Sequence, residues 1–415
     1  MESVKSVAFC QKRHGRILKE FDLVNTKITF LNFVFFVLLV YPAVYMVSEY
    51  IGSGFPGIAS RGMLLLLLVA IHVDNRRSEI WSLVLFDICL AIFVAYNLFA
   101  HGLNYLVHSD CYGLVFLFCI LYFFSNDYRC SCFKEWLSCR SFWLLIVIGV
   151  QVIGLLVSVI SGSFLDADGY LKGPYLITHE FAYAGLVIYC EICLLNSNHR
   201  CVVILVKIAI VVLILASGVR SAGLAAIMLL AYDLFFRRDT SKRSIIGFIA
   251  IIFIACLGSI LFFVGALDNI PIVEKTLYAL SNGDASNGRS RFITIAMNCY
   301  NEANPIERFF GVGMENLRGC FFGNPGIGVA IHVHNDIFNI LVGSGAFSLV
   351  LFIILIGWYL KHTDWFFLFI FLFPLICFNG LYMYMAFVAS LGMVKVVFGY
   401  VPNVSQKPDS YNKIG

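Results

Sequence analysis

Residues 28–47 read ITFLNFVFFVLLVYPAVYMV, an apolar run of about twenty residues with no charged side chain. At 1.5 Å of rise per residue such a run makes a helix of about 30 Å, the thickness of a bilayer's hydrocarbon core. Runs of this kind recur at 56–73, 80–100, 108–124, 141–160, 178–195, 201–217, 222–236, 244–265, 335–360, 365–379 and 382–400, which makes twelve. With 60% apolar and 13% charged residues, the chain is neither a soluble globular domain nor a disordered segment. The fold class expected is an all-α integral membrane protein with about twelve transmembrane helices. Run 28–47 follows a basic leader and carries no small-residue cleavage site, so it reads as a span and not as a removed signal.

One interval breaks the pattern. Between the ninth and tenth runs lies a polar stretch, 266–334, too long for a structureless connection inside a compact domain. The layout is therefore a cytoplasmic segment 1–27, spans over 28–265, a large periplasmic loop 266–334, spans over 335–400 and a cytoplasmic tail 401–415. Orientation follows from lysine and arginine: with the N terminus inside, inside segments hold 19 and outside segments 8, five of the latter in the one long loop. Within that loop, 289–300 places Phe292, Ile293, Ile295, Ala296 and Met297 behind two arginines, the pattern of an interfacial helix ending before Pro305.

Chemistry-bearing residues gather on the outer side. Arg220 sits in S-G-V-R-S-A-G (217–223) between the seventh and eighth spans. Arg289 and Arg291 sit in N-G-R-S-R (287–291), Gly311 and Gly313 in F-G-V-G-M-E-N (310–316), and His332, His334 and Asn335 in H-V-H-N (332–335). Arginine offers a planar, permanently charged fork that grips phosphate oxygens in pairs. Glycine lets backbone amides approach a phosphate or sugar closely, and histidine is the natural base for a sugar hydroxyl. Together they suit transfer of a glycan from a lipid-linked diphosphate to a hydroxyl. Each has a plainer reading: Arg220 snorkelling, Arg289 and Arg291 holding lipid headgroups, His334 ending a helix.

Other polar residues read as structural. Asp87, Glu191, Lys207 and Asp233 lie toward the cytoplasmic ends of their spans, and Glu191 and Lys207 flank one tight turn, which predicts an ion pair. Of fourteen cysteines most lie in apolar runs, while Cys299 and Cys320 share the outer loop, where a disulfide is possible. Asp166 and Asp168 are two ligands without a third, and Cys130 and Cys132 are too close for a zinc knuckle, so no metal is expected.

The order S-G-V-R-S-A-G, N-G-R-S-R, F-G-V-G-M-E-N, then H-N followed by nine residues and Gly345, resembles the Wzy/WaaL superfamily of O-antigen polymerases and ligases. Where that family repeats a glycine three residues beyond Gly345, this chain has Ser348. The resemblance implies an inverting, metal-independent glycosyltransferase of the inner membrane, acting at the periplasmic face in lipopolysaccharide biosynthesis. It would use an undecaprenyl-diphosphate-linked oligosaccharide, with no cofactor and no nucleic acid, among membrane lipid and with a chain-length regulator protein as a possible partner. Arg220 and Arg289 would contact the diphosphate, with Arg291 in reserve, and His334 would activate the acceptor hydroxyl. His179 and Glu180, in I-T-H-E-F (177–181), share a face that reaches the glycan. The large soluble C-terminal domain common in the related protein O-glycosylating enzymes is not expected here, and of the readings that share the site the polymerase is favoured. The alternatives are the ligase, which transfers the glycan to lipid A–core, and a flippase without chemistry. A flippase would need basic residues at mid-membrane depth.

Overall fold

The computed structural model describes residues 29–52, 55–73, 80–103, 105, 111–195, 200–236, 273, 277, 281, 289–323 and 333–399. These are helical apart from turns and one isolated bridge between Leu165 and Leu171. In chain order the helices are α1 (Thr29–Ile51), α2 (Phe55–Val73), α3 (Ile80–His101), α4 (Cys111–Ser125), α5 (Asp127–Cys139), α6 (Ser141–Ile160) and α7 (Thr178–Leu194). They continue with α8 (Arg200–Ala216), α9 (Arg220–Ala231), α10 (Arg289–Glu302), α11 (Pro305–Phe310), α12 (Met314–Phe322), α13 (Asp336–Leu360), α14 (Trp365–Phe378), α15 (Met385–Ala389) and α16 (Leu391–Phe398).

Helix α4 is apolar all round and buried on every side, as such a helix must be. It forms the axis on which α2, α13, α15 and α16 pack. Helix α6, by contrast, turns Leu145, Ile153, Leu156 and Ile160 outward, a surface suited to lipid and not to water. Four helices among the described residues, α1, α3, α6 and α13, are long and apolar enough to cross a bilayer, and α4 with α5 makes a fifth if that bent pair counts as one span. Among the described residues the protein is thus all-helical with four or five candidate spans, and the twelve that the sequence predicts are not shown. The expected span 244–265 lies outside the described residues.

Past the apolar run 108–124 the chain bends by 87° into α5, where Asn126 accepts from the Tyr128 and Arg129 amides as N-cap. Two local expectations are corrected. The run 382–400 is not one helix: a 3₁₀ turn at Leu381–Met383, α15 and α16 are separated at Tyr384 and Ser390. The Glu191–Lys207 ion pair does not form. Glu191 accepts from the Gln151 amide at 3.0 and 3.2 Å, and Lys207 pairs with Asp233 at 2.5 Å. Each buried charge has found the nearest group that satisfies it across a helix interface, which spacing along one turn does not reveal.

Candidate functional site

A cavity of about 380 Å³ opens where four elements converge, and its walls carry Arg220, Arg289, His334 and Asn335. Arg220 is the first residue of α9, set by the left-handed turn at Gly218 that reverses the chain after α8. Arg289 is the first residue of α10. Leu224 of α9, Ile293 of α10 and Phe378 of α14 supply an apolar wall. Among the described residues no carboxylate lines the cavity, and two guanidiniums carry its charge. Burial, and then the positive charge of Arg220, lowers the Arg289 pKa. Two like charges facing one partly desolvated space are relieved by an anion between them.

Arg291 does not join them. Two residues along a helix point to nearly opposite sides, and Arg291 is exposed where Arg289 is half-buried. Helix α10 covers the interfacial segment expected from the sequence, but its inner face packs on protein as well. Ile295 and Ala296 are buried with Leu317 and Phe321 of α12 and Val342 of α13. Arg308 closes the other end of α10, donating to the carbonyls of Tyr300 and Asn301.

His334 holds φ at 54°, a left-handed backbone that costs a non-glycine residue about 1–3 kcal/mol. The neighbouring residue explains how it is held. Asn335 caps α13 by accepting from the Ile337 and Phe338 amides, while its own amide donates to the Cys377 carbonyl at 2.8 Å. The helix-capping role thus belongs to Asn335, leaving the imidazole to the cavity. Its Nδ1 is buried with no hydrogen-bond partner among the described residues. Burial first, and then Arg289, lowers the His334 pKa, partly offset by the Asn379 backbone. A ring kept neutral beside two arginines is one ready to accept a proton. His332 lies outside the described residues.

Gly311 and Gly313 are not part of the cavity wall. The Val312 and Gly313 amides donate to the carbonyls of Val342 and Gly343, and the Gly311 amide to that of Glu307. This backbone-to-backbone contact depends on missing side chains. Gly345 breaks the helical course of α13 at φ 83°, and a Cβ there would lie 2.3 Å from the Phe309 carbonyl oxygen. Gly345→Ala is therefore expected to destabilise by about 2 kcal/mol or more. Gly357→Ala, in the same helix with nothing within 4 Å, should be neutral or gain up to about 1 kcal/mol of helix propensity. Thermal unfolding of the purified protein followed by tryptophan fluorescence compares the two; equal midpoints would remove the packing argument.

His179 and Glu180, expected on one face, part company. The His179 ring runs near-parallel to those of His334 and Tyr384, 6.4 Å from each, whereas Glu180 accepts a 2.8 Å bond from Tyr45 of α1. Tyr384 in turn stacks on Tyr183 at 4.1 Å. Sequence reasoning missed Tyr384, Phe378 and Leu224, since apolar and aromatic residues inside spans carry no local mark of a site, and it placed Ile293 only on the apolar face of the interfacial segment. Asp166, which the sequence pairs with Asp168, folds back on its own turn by accepting from the Asp168 and Tyr170 amides. Among the described residues no group of three His, Cys, Asp or Glu side chains is placed to hold a metal ion.

Residues 205–353 match the Wzy_C family model, described as O-antigen ligase. Over this region, about a third of its length, the chain is similar to that family. The region spans Arg220, Arg289, Arg291, Gly311, Gly313, His334, Asn335 and Gly345, so both cationic walls of the cavity and the imidazole come from it. His179 and Glu180 precede it. That family holds O-antigen polymerases and ligases, which act on lipid-linked glycans. No curated protein matches this chain.

Proposed function

We propose that the protein is an O-antigen polymerase, moving a glycan from an undecaprenyl-diphosphate-linked donor to a sugar hydroxyl of a second lipid-linked chain at the periplasmic face of the inner membrane. The observation that carries this reading is the single cavity shared by Arg220, Arg289 and His334. The two guanidiniums grip the diphosphate and stabilise the charge that grows on it as the glycosidic bond breaks. The acceptor oxygen attacks the anomeric carbon, its proton passes to the His334 imidazole, and the polyprenyl diphosphate departs with the bonding electron pair. The apolar wall of Leu224, Ile293 and Phe378 takes the first part of the polyprenyl chain. His179, whose ring lies 6.4 Å from that of His334, stands beside the base as a neighbour for the acceptor sugar.

The description of the matched family favours one second reading, the ligase, in which lipid A–core supplies the acceptor hydroxyl. Purified protein given lipid-linked repeat units alone should yield a ladder of chain lengths on a gel. A single shifted product that appears only when lipid A–core is added would replace the polymerase by the ligase. No turnover with either acceptor would argue for lipid-linked glycan transport without chemistry.

A further inference from the structure

Cys299 and Cys320 stand 21 residues apart on different helices, α10 and α12, with their sulfur atoms 2.7 Å from one another. Both are half-buried at the edge of a small core separate from the main one, where Ile295 and Ala296 of α10 meet Leu317 and Phe321 of α12. The helices are thus already packed by apolar contact, and joining the two thiols asks only for a small side-chain adjustment within the separation a disulfide spans.

We propose that Cys299 and Cys320 are joined as a disulfide that clamps α10 to α12. The proposal rests on the outer-face placement of 266–334, because a periplasmic compartment sustains disulfides and a cytosol removes them. The oxidant is an external disulfide of the kind a thiol–disulfide oxidoreductase carries. One cysteine, as thiolate, attacks it to form a mixed disulfide, and the second displaces the carrier as a dithiol. Two electrons and two protons leave the pair, and the carrier takes them up.

The clamp acts on the cavity through a short mechanical path. Arg289 opens α10, while α12 follows directly from the Gly311–Gly313 turn, which is bonded to the Val342 and Gly343 carbonyls of α13. Helix α13 begins beside His334. A bond between α10 and α12 therefore ties the arginine to the element that carries the imidazole. Reduction leaves apolar packing alone to keep the two at working distance.

Trypsin cuts after Arg291, Arg308 and Arg318, so Cys299 and Cys320 fall in different peptides. Membranes quenched with a permeant maleimide and digested without reductant should give one linked pair, two hydrogens lighter than the free peptides. In intact cells a membrane-impermeant maleimide should mark both cysteines only after a phosphine reductant. The reductant should lower polymer synthesis several-fold in the wild type, to the level of Cys299→Ser, and leave Cys299→Ser itself unchanged. Labelling of both cysteines in unreduced intact cells would overturn the clamp while leaving the outer-face reading in place. Labelling only after permeabilisation would overturn that reading, and the clamp with it. The peptide measurement on wild-type protein decides the matter even if Cys299→Ser fails to accumulate.

Discussion

Replacing His334 with alanine is expected to abolish glycan transfer while the protein still inserts in the membrane and still binds donor through Arg220 and Arg289. A positioned base contributes roughly 10²–10⁴ in rate, so chain growth in cells should be nearly absent. Because His334 occupies a left-handed backbone, alanine adds strain of its own. His334→Asn is the better control, since asparagine tolerates that conformation and has no basic nitrogen. Both variants should fail alike. A normal ladder from either would end the assignment, and loss confined to His332→Ala would move the role two residues upstream. The pH profile gives the sign of the chemistry. The base must be neutral, and burial with Arg289 nearby holds its pKa below the ordinary histidine value. Wild-type kcat/KM should therefore stay level down through about pH 6.5 and fall only below it. Residual activity of Arg289→Ala should fall at higher pH than wild type, because the cation that disfavours imidazolium has gone.

Arg220→Lys is expected to be nearly as damaging as Arg220→Ala, at about 10²-fold or more in kcat/KM, although it keeps the charge. A lysine offers one compact donor group, whereas the guanidinium presents paired donors in a plane that matches a phosphate edge. The same substitutions at Arg289 should cost as much, while Arg291→Ala should cost less than about threefold, because its side chain is exposed and away from the cavity. Donor titration with the purified variants separates the two sites. Full activity of Arg220→Ala at normal protein levels would establish that this arginine only snorkels to the headgroups. Equal losses at Arg289 and Arg291 would mean that the diphosphate is held outside the cavity, along the whole first turn of α10.

Much of this was legible in the residues. Hydrophobicity is a local property, so runs such as 28–47 and 335–360 announce helices whose ends the structure places within a few residues, at Thr29–Ile51 and Asp336–Leu360. The motif order is equally local, which is why the resemblance drawn from four short motifs agrees with a Wzy_C match over 205–353. Breaks inside apolar segments were not legible. The division of 382–400 at Tyr384 and Ser390 leaves hydropathy unchanged, and the polar residues after Ser125 mark the end of an apolar run without showing the 87° bend into a second helix. Buried partners were equally hidden, for Glu191 and Lys207 answer to groups on other helices.

For the site itself the division is sharper. The sequence by itself determined that the chain is helical and apolar, and that arginines, glycines and a histidine come in a recognisable order. It could not choose between Arg289 and Arg291, nor between a glycine that meets a ligand and one that meets another backbone. Tertiary structure decided both. Helical rotation separates residues two apart, sending Arg289 to the cavity and leaving Arg291 exposed. The approach of α13 takes up the Val312 and Gly313 amides and presses Gly345 against the Phe309 carbonyl. Spacing along a chain sets which residues share a face of one helix; only packing between helices sets what that face meets.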